Sequence, residues 1–126
     1  MLLRMTLVLM AALLFATCDK DMESKCIGFR SALVANDEEK ILMMVNQYIT
    51  QSFLMVYSRQ NLEALATKIN DECKLEVKYT CFECIDTNPP ISEISIQFLN
   101  GGILEQKTID LYNDPQENKL KAISVH

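Results

Sequence analysis

The fold is indicated most clearly by the stretch Lys74-Leu75-Glu76-Val77-Lys78-Tyr79-Thr80-Cys81. Apolar or aromatic side chains alternate here with charged or polar ones, so the pattern has a period of two residues. This period predicts a β-strand with one buried side and one solvent-facing side, as is typical of antiparallel sheets. The flanking sequence should therefore supply the partner strands and the layer that covers them.

The sequence after this strand predicts a meander. Pro89 and Pro90 favour an extended turn, because proline fixes φ and lacks an N–H group. A second alternation follows in residues 91–98, and Asn100-Gly101-Gly102 tolerates the positive φ of a hairpin turn. Residues 104–112 form the expected return strand, residues 113–118 another turn and residues 119–125 a closing strand. The predicted inner face consists of Leu75, Val77, Tyr79, Ile94, Ile96, Phe98, Ile109 and Leu111.

Helical patterns precede the strands. A polar, acidic start at residues 36–39 is followed by apolar residues at helical spacing from Ile41 to Val56. The pattern lapses at residues 58–61, and a second stripe follows at Leu62, Leu65, Ala66 and Ile69. We therefore expect an α+β fold in which one or two N-terminal helices pack on a three- to four-stranded antiparallel meander sheet. The first of these helices should cover the inner face.

The N-terminal region has the features of a signal peptide. Arg4 supplies a positive charge, and the uncharged run after it is about eleven residues long, too short to cross a bilayer that requires about 20. The segment Leu14-Phe15-Ala16-Thr17-Cys18 resembles the lipobox of bacterial lipoproteins, although Thr17 stands where glycine, alanine or serine is usual. The resemblance implies that Cys18 is acylated, for example with palmitate, and anchors the chain to a membrane.

Three regions are expected along the chain. Residues 1–17 form the signal peptide, residues 18–35 contain the lipidated cysteine and a flexible tether, and residues 36–126 form a single α+β domain. The charged residues 19–25 favour the tether. The alternative is an ordinary secretory signal cleaved after Ala16 or Cys18, which would leave a soluble secreted protein.

Composition argues against several functional classes. The chain of 126 residues carries a formal net charge of −5 and lacks a basic patch, so nucleic acid is not an expected partner. The sequence has no glycine-rich phosphate loop or HExxH motif, and its single histidine is His126. We therefore expect no catalytic residues, no cofactor and no metal, and we do not expect an enzyme.

The remaining cysteines are Cys26, Cys73, Cys81 and Cys84, an even number that favours disulfides in an exported protein. Four cysteines permit three pairings. A bond between Cys73 and Cys81 would require the strand between them to bend, because an extended strand rises about 3.3 Å per residue. Cys81 with Cys84, or Cys73 with Cys84, is geometrically easier, with Cys26 bonded to whichever cysteine remains.

The motif Cys81-Phe82-Glu83-Cys84 has competing interpretations. A redox dithiol requires its first cysteine at a helix N-terminus, whereas this motif follows a strand and leads toward two prolines. Haem attachment requires histidine where Ile85 stands. A four-thiolate zinc site usually has two CxxC motifs, and only one is present.

The run from Cys81 through Pro90 to Ser95, together with the ending 119–126, resembles small lipoproteins of Gram-negative bacterial envelopes. The resemblance implies an exported protein, lipid-anchored in the cell envelope, with the outer membrane favoured. The expected function is that of a non-enzymatic binding or structural accessory with a protein or glycan partner. Such a function predicts an exposed apolar or aromatic patch, for which Phe53, Phe82 and Tyr112 are candidates. The alternatives are an envelope thiol–disulfide protein that uses Cys81 and Cys84, and a soluble secreted domain similar to inhibitors.

Overall fold

A computed structural model of the chain describes residues 22–52, 56–84, 90–114, 116 and 119–126. The described residues form three helices and then four strands, so the predicted α+β class is confirmed. The signal peptide predicted over residues 1–17 and the lipidated Cys18 lie outside the described residues. The elements are α1 (residues 22–35), α2 (Glu38–Gln51), α3 (Arg59–Cys73), β1 (Glu76–Cys84), β2 (Ile91–Asn100), β3 (Ile103–Asp114) and β4 (Lys119–Val125).

Helix α1 occupies most of the segment predicted to be a tether. Its side chains Cys26, Phe29, Ala32 and Leu33 belong to the hydrophobic core. Spacings of three and four residues place them on one side of a helix, where each can reach the core. The prediction of a flexible tether over residues 18–35 is therefore wrong for residues 22–35.

Short polar side chains set the starts of α2 and α3. The Asp37 side chain accepts a hydrogen bond from the Lys40 N–H group at 3.2 Å, and Ser58 accepts one from the Asn61 N–H group at 3.1 Å. Each bond satisfies an N–H group that has no partner within its helix. The sequence predicted the start of α2. It placed the break between the two helical stripes at residues 58–61, whereas α3 already begins at Arg59.

The end of α3 is closed in two ways. Lys74 adopts the left-handed conformation with φ 53°, and its N–H group bonds the carbonyl of Asn70. The guanidinium of Arg30, from α1, donates to the carbonyl oxygens of Cys73 at 2.7 Å and Lys74 at 3.4 Å. A cation at this position also opposes the negative end of the helix dipole.

The four described strands form one antiparallel sheet in the order β1-β2-β3-β4. Asn100 pairs with Ile103, so β2 and β3 are joined by a two-residue loop. Both loop residues have positive φ, 58° at Gly101 and 83° at Gly102, as this type of hairpin requires. The predicted hairpin and closing strand are confirmed.

The helices cover one face of the sheet, with α2 against β4 and α3 against β1. The first predicted helix, α2, therefore covers only the β4 side of the inner face, and α1 and α3 complete the helical layer. Helix α1 contacts both neighbours, because Phe29 packs on Tyr48 of α2 with ring centroids 6.0 Å apart and Cys26 is bonded to Cys73 of α3. Of the predicted inner face, Tyr79 is half-buried and the other members are buried: Leu75, Val77, Ile94, Ile96, Phe98, Ile109 and Leu111.

Two asparagines close the outer edges of this sheet. Asn70 of α3 accepts from the Val77 N–H group at 2.5 Å and donates to the Val77 carbonyl at 3.2 Å. Asn46 of α2 does the same for Ala122 of β4, at 2.9 and 3.2 Å. Each side-chain amide thus stands where the peptide group of another strand would bind. An edge satisfied in this way is a poorer template for an added strand.

Candidate functional site

The four cysteines after Cys18 form two disulfides, Cys26–Cys73 and Cys81–Cys84, with Cα–Cα distances of 5.2 and 5.8 Å. This is one of the pairings that the sequence left open. Cys73 does not bond Cys84, because Cys73 ends α3 beside α1, whereas Cys84 lies at the far end of β1. Cys18 lies outside the described residues, and within them no helix has the length and apolar character needed to cross a membrane.

The Cys26–Cys73 disulfide is buried and joins the first helix to the last. The Tyr48 hydroxyl lies 2.9 Å from Cys73 Sγ and donates to it, because a disulfide sulfur carries no proton. Burial raises the pKa of Tyr48, and the nearby carboxylate of Glu72 adds to the increase, so the hydroxyl keeps its proton at neutral pH. This disulfide is part of the core.

The Lys25 side chain lies over the ring of Tyr48, next to the Cys26–Cys73 disulfide. Its ammonium lies 4.1 Å from the centre of the Tyr48 ring and donates to Gln51 Oε1 at 2.7 Å. Partial burial lowers the pKa of Lys25 more than the attraction of Glu72 raises it. The contacts of Lys25 thus hold the start of α1 against the end of α2.

The Cys81–Cys84 disulfide lies near the end of β1 and is half-buried. The register of β1 against β2 shifts at Tyr79/Cys81 and again at Cys81/Cys84, so the chain bulges where the disulfide forms. Both cysteines lie within a strand, which does not provide the helix N-terminus that stabilises a reactive thiolate. A four-thiolate zinc site is also contradicted, because the sulfurs form two separate disulfides.

Phe82, between these two cysteines, is held by aromatic and polar contacts. Its ring stacks on Tyr57 with centroids 5.4 Å apart, and the Arg59 guanidinium lies 5.5 Å from its centre. The hydroxyls of Tyr57 and Ser92 both donate to its carbonyl oxygen. Phe82 is thus half-buried and does not form the predicted exposed patch. Tyr112 is also half-buried, and Phe53 lies outside the described residues.

An exposed apolar patch lies instead at the hairpin that joins β2 and β3. Leu99, Ile103 and Leu104 are 70%, 67% and 62% exposed, although all three are aliphatic. Strand alternation turns Ile103 to the opposite face of the sheet from its neighbour Leu104. We therefore give the name hairpin patch to Leu99, Leu104 and Val34 at the end of α1, which line the same cleft. The cleft has a volume of about 300 Å³ and is lined by Arg30, Val34, Lys74, Leu75, Glu76, Gln97, Phe98, Leu99 and Leu104.

The hairpin patch could have been recognised in the sequence from the two leucines that flank the predicted turn. Leu99 and Leu104 are direct partners across the hairpin. Strand alternation places them on the same face as Gln97 and Gln106, which is the polar side of the sheet. Two aliphatic residues paired on a polar face are unusual, and they could have been recognised once the turn was predicted.

A second cluster lies on the sheet face that the described helices do not cover. Glu93 of β2 is the direct partner of Asp110 of β3. His126 Nε2 lies 3.0 Å from Asp110 Oδ1 and 3.9 Å from Glu93 Oε1. In the sequence His126 stands out only as the single histidine. No motif spacing links it to Glu93 and Asp110, because the sheet register alone brings the three residues together.

Comparison with known proteins assigns no family to this chain: no family model matches it, and neither does a curated protein or a solved structure. The features that bear on its function are the disulfides, the hairpin patch and the polar face of the sheet.

Proposed function

We propose that this protein is a non-enzymatic accessory of the bacterial cell envelope, lipid-anchored through Cys18, that binds a partner protein through the hairpin patch. The N-terminal pattern and the lipobox-like segment at residues 14–18 support export and anchoring. Two disulfides are consistent with an oxidising compartment. The observation that carries the binding role is the hairpin patch beside its cleft.

The composition of the hairpin patch favours a protein partner over a glycan. Its exposed side chains are aliphatic, whereas sugars are usually bound by aromatic rings together with polar groups. Contiguous exposed apolar surface on a small soluble domain commonly marks a protein interface. The cleft provides a pocket for an apolar anchor side chain, the type of contact that contributes most of the affinity at interfaces.

Strand addition is a less favourable way to bind this sheet. The described edges at Val77 of β1 and Ala122 of β4 already bond the side chains of Asn70 and Asn46. A partner strand would have to displace both hydrogen bonds at either site before it gained its own. The hairpin patch requires no such displacement.

The charges around the cleft indicate which flanking residues a partner should have. Arg30 and Lys74 line the cleft, while its acidic residue, Glu76, is paired with Lys78 at 2.6 Å. The rim is therefore positive within a chain whose formal net charge is −5. A partner segment with an apolar anchor and acidic neighbours would match this rim.

The position of α1 limits how far the anchored domain can extend from the membrane. Only three residues separate Cys18 from Met22, where the described helix begins. A fully extended chain covers at most about 14 Å over that interval. If Cys18 is acylated, the folded domain therefore lies close to the lipid, and the hairpin patch is near the opposite end of α1.

Site-specific photocrosslinking in living cells tests the binding role. A photoreactive residue at Leu104 should yield one discrete protein adduct, whereas the same residue at the exposed Met43 of α2 should not. Substitution Leu99→Asp should decrease the adduct at position 104 at least about tenfold, or about 1.4 kcal/mol of binding free energy. Equal adducts at positions 43 and 104 would contradict the proposal, as would adducts with lipid alone.

Intact mass spectrometry of protein from the membrane fraction tests the anchor. The expected mass is that of residues 18–126 plus acyl chains, and alkylation should add four groups only after reduction. A Cys18→Ala variant should lose the lipid mass and leave the membrane fraction, because acyl chains contribute about 0.8 kcal/mol per buried methylene. A soluble wild-type species without lipid would contradict anchoring and favour the secreted inhibitor-like alternative.

The thiol–disulfide alternative has weaker support. The Cys81–Cys84 pair is half-exposed, as exchange requires, but it lies within β1. It therefore lacks the electrostatic stabilisation of a thiolate that a helix N-terminus provides. A structural role in bracing the bulged end of β1 matches these surroundings better.

A further inference from the structure

We infer that Glu93, Asp110 and His126 bind a divalent transition-metal ion, with zinc as the best match, on the face of the sheet opposite the helices. One ligand atom from each side chain lies within 4.8 Å of the other two. Tetrahedral zinc with bonds of about 2.0–2.2 Å places its ligand atoms about 3.3–3.6 Å apart. The observed separations from His126 Nε2, 3.0 and 3.9 Å, lie on either side of that value.

The backbone holds all three residues firmly. Glu93 and Asp110 are paired inside the sheet, on β2 and β3. His126 lies just beyond β4, but its N–H and C=O groups both pair with Thr108 at 2.8 Å, so the sheet continues through it. Three ligands on three adjacent strands therefore converge without a loop. Rigid elements of this kind position metal ligands better than loops do.

The charges of the cluster favour a cation. Carboxylates directly opposite each other on neighbouring strands repel and destabilise the pair. A divalent ion between Glu93 and Asp110 would convert that repulsion into coordination. The imidazole nitrogen of His126 favours a transition metal over calcium or magnesium, which prefer oxygen ligands only.

Asp110 is also oriented by a neighbour that would not contact the ion. The Ser124 hydroxyl donates to Asp110 Oδ2 at 2.5 Å, while Oδ1 faces His126. Outer hydrogen bonds of this type fix the orientation of a ligating carboxylate. Three protein ligands leave a fourth zinc position for water or for a group from another molecule.

Calorimetric titration of the purified disulfide-bonded protein with zinc chloride tests the inference. We expect saturable binding of one zinc ion per chain, with calcium and magnesium at least about tenfold weaker because the site contains imidazole. Cobalt titration should give the visible absorption of a four-coordinate ion. Absence of saturable zinc uptake would overturn the inference, and calcium binding as tight as zinc binding would overturn the assignment of the ion.

Variants of the cluster show whether zinc binds at Glu93, Asp110 and His126 or adventitiously elsewhere on the protein. Asp110→Asn and His126→Ala should each weaken zinc binding at least about tenfold, and Ser124→Ala should weaken it about tenfold through the orientation of Asp110. The matched control is Glu39→Gln, which removes an exposed carboxylate from the first turn of α2 and should leave zinc binding unchanged. Unchanged binding in Asp110→Asn, with circular dichroism equal to that of the wild type, would also overturn the inference.

Discussion

Replacing both Cys26 and Cys73 with alanine should lower the free energy of unfolding by about 4 kcal/mol. The disulfide closes a loop with a sequence separation of 47 residues, and the entropy that it removes from the unfolded chain increases with the logarithm of loop length. A decrease of this size should lower the melting temperature by about 15 °C in a domain of this size. Thermal and urea unfolding followed by circular dichroism measure both quantities.

The second disulfide provides the matched control. Cys81 and Cys84 are only three residues apart, so the same relation gives about 2 kcal/mol for the Cys81→Ala/Cys84→Ala variant. The two double variants should therefore differ by about twofold in the stability that they lose. Equal losses would show that the long loop is already constrained in the unfolded chain.

Phe29→Ala should be the most damaging single substitution in α1, with a loss of about 3–5 kcal/mol. Phe29 is 0% exposed and packs on Tyr48, so truncation removes its buried contacts and leaves a cavity. Ile27→Ala, on the same helix but 57% exposed, should change stability by no more than about 0.5 kcal/mol. Urea unfolding should show a lower midpoint for Phe29→Ala and an unchanged slope.

The difference between Phe29→Ala and Ile27→Ala tests whether residues 22–35 form a packed helix or the flexible tether predicted from the sequence. In a flexible tether, both residues would be solvated and both substitutions would be nearly silent. Equal and small effects at positions 27 and 29 would therefore mean that α1 does not pack on the core in solution.

The sheet was the most predictable part of the fold. Alternation of apolar and polar residues over 74–81 and 91–98 predicts its first two strands, and the glycines at 101 and 102 predict its central turn. These signals are local, because side-chain direction and allowed φ values depend on neighbouring atoms along the chain. The same holds for the start of α2, where the Asp37 side chain caps the helix by accepting a hydrogen bond from the N–H group of Lys40, three residues further along the chain.

Helix α1 was missed although its apolar stripe is visible. Its first turn is charged, its apolar positions include a cysteine and an alanine, and it contains Gly28, which is unfavourable inside helices. The helix is stabilised by the packing of Phe29 on Tyr48 and by the disulfide between Cys26 and Cys73. Tertiary contacts of that type outweigh propensity in a short helix.

The sequence by itself determined the α+β class, the strand order as a meander, the hairpin turn and the inner face of the sheet, because each follows from local periodicity and backbone sterics. Only the tertiary structure decided the pairing of Cys26 with Cys73, the location of the hairpin patch and the convergence of Glu93, Asp110 and His126. Those features join residues distant in sequence. Their proximity depends on register and on helix–sheet packing, which no local pattern specifies.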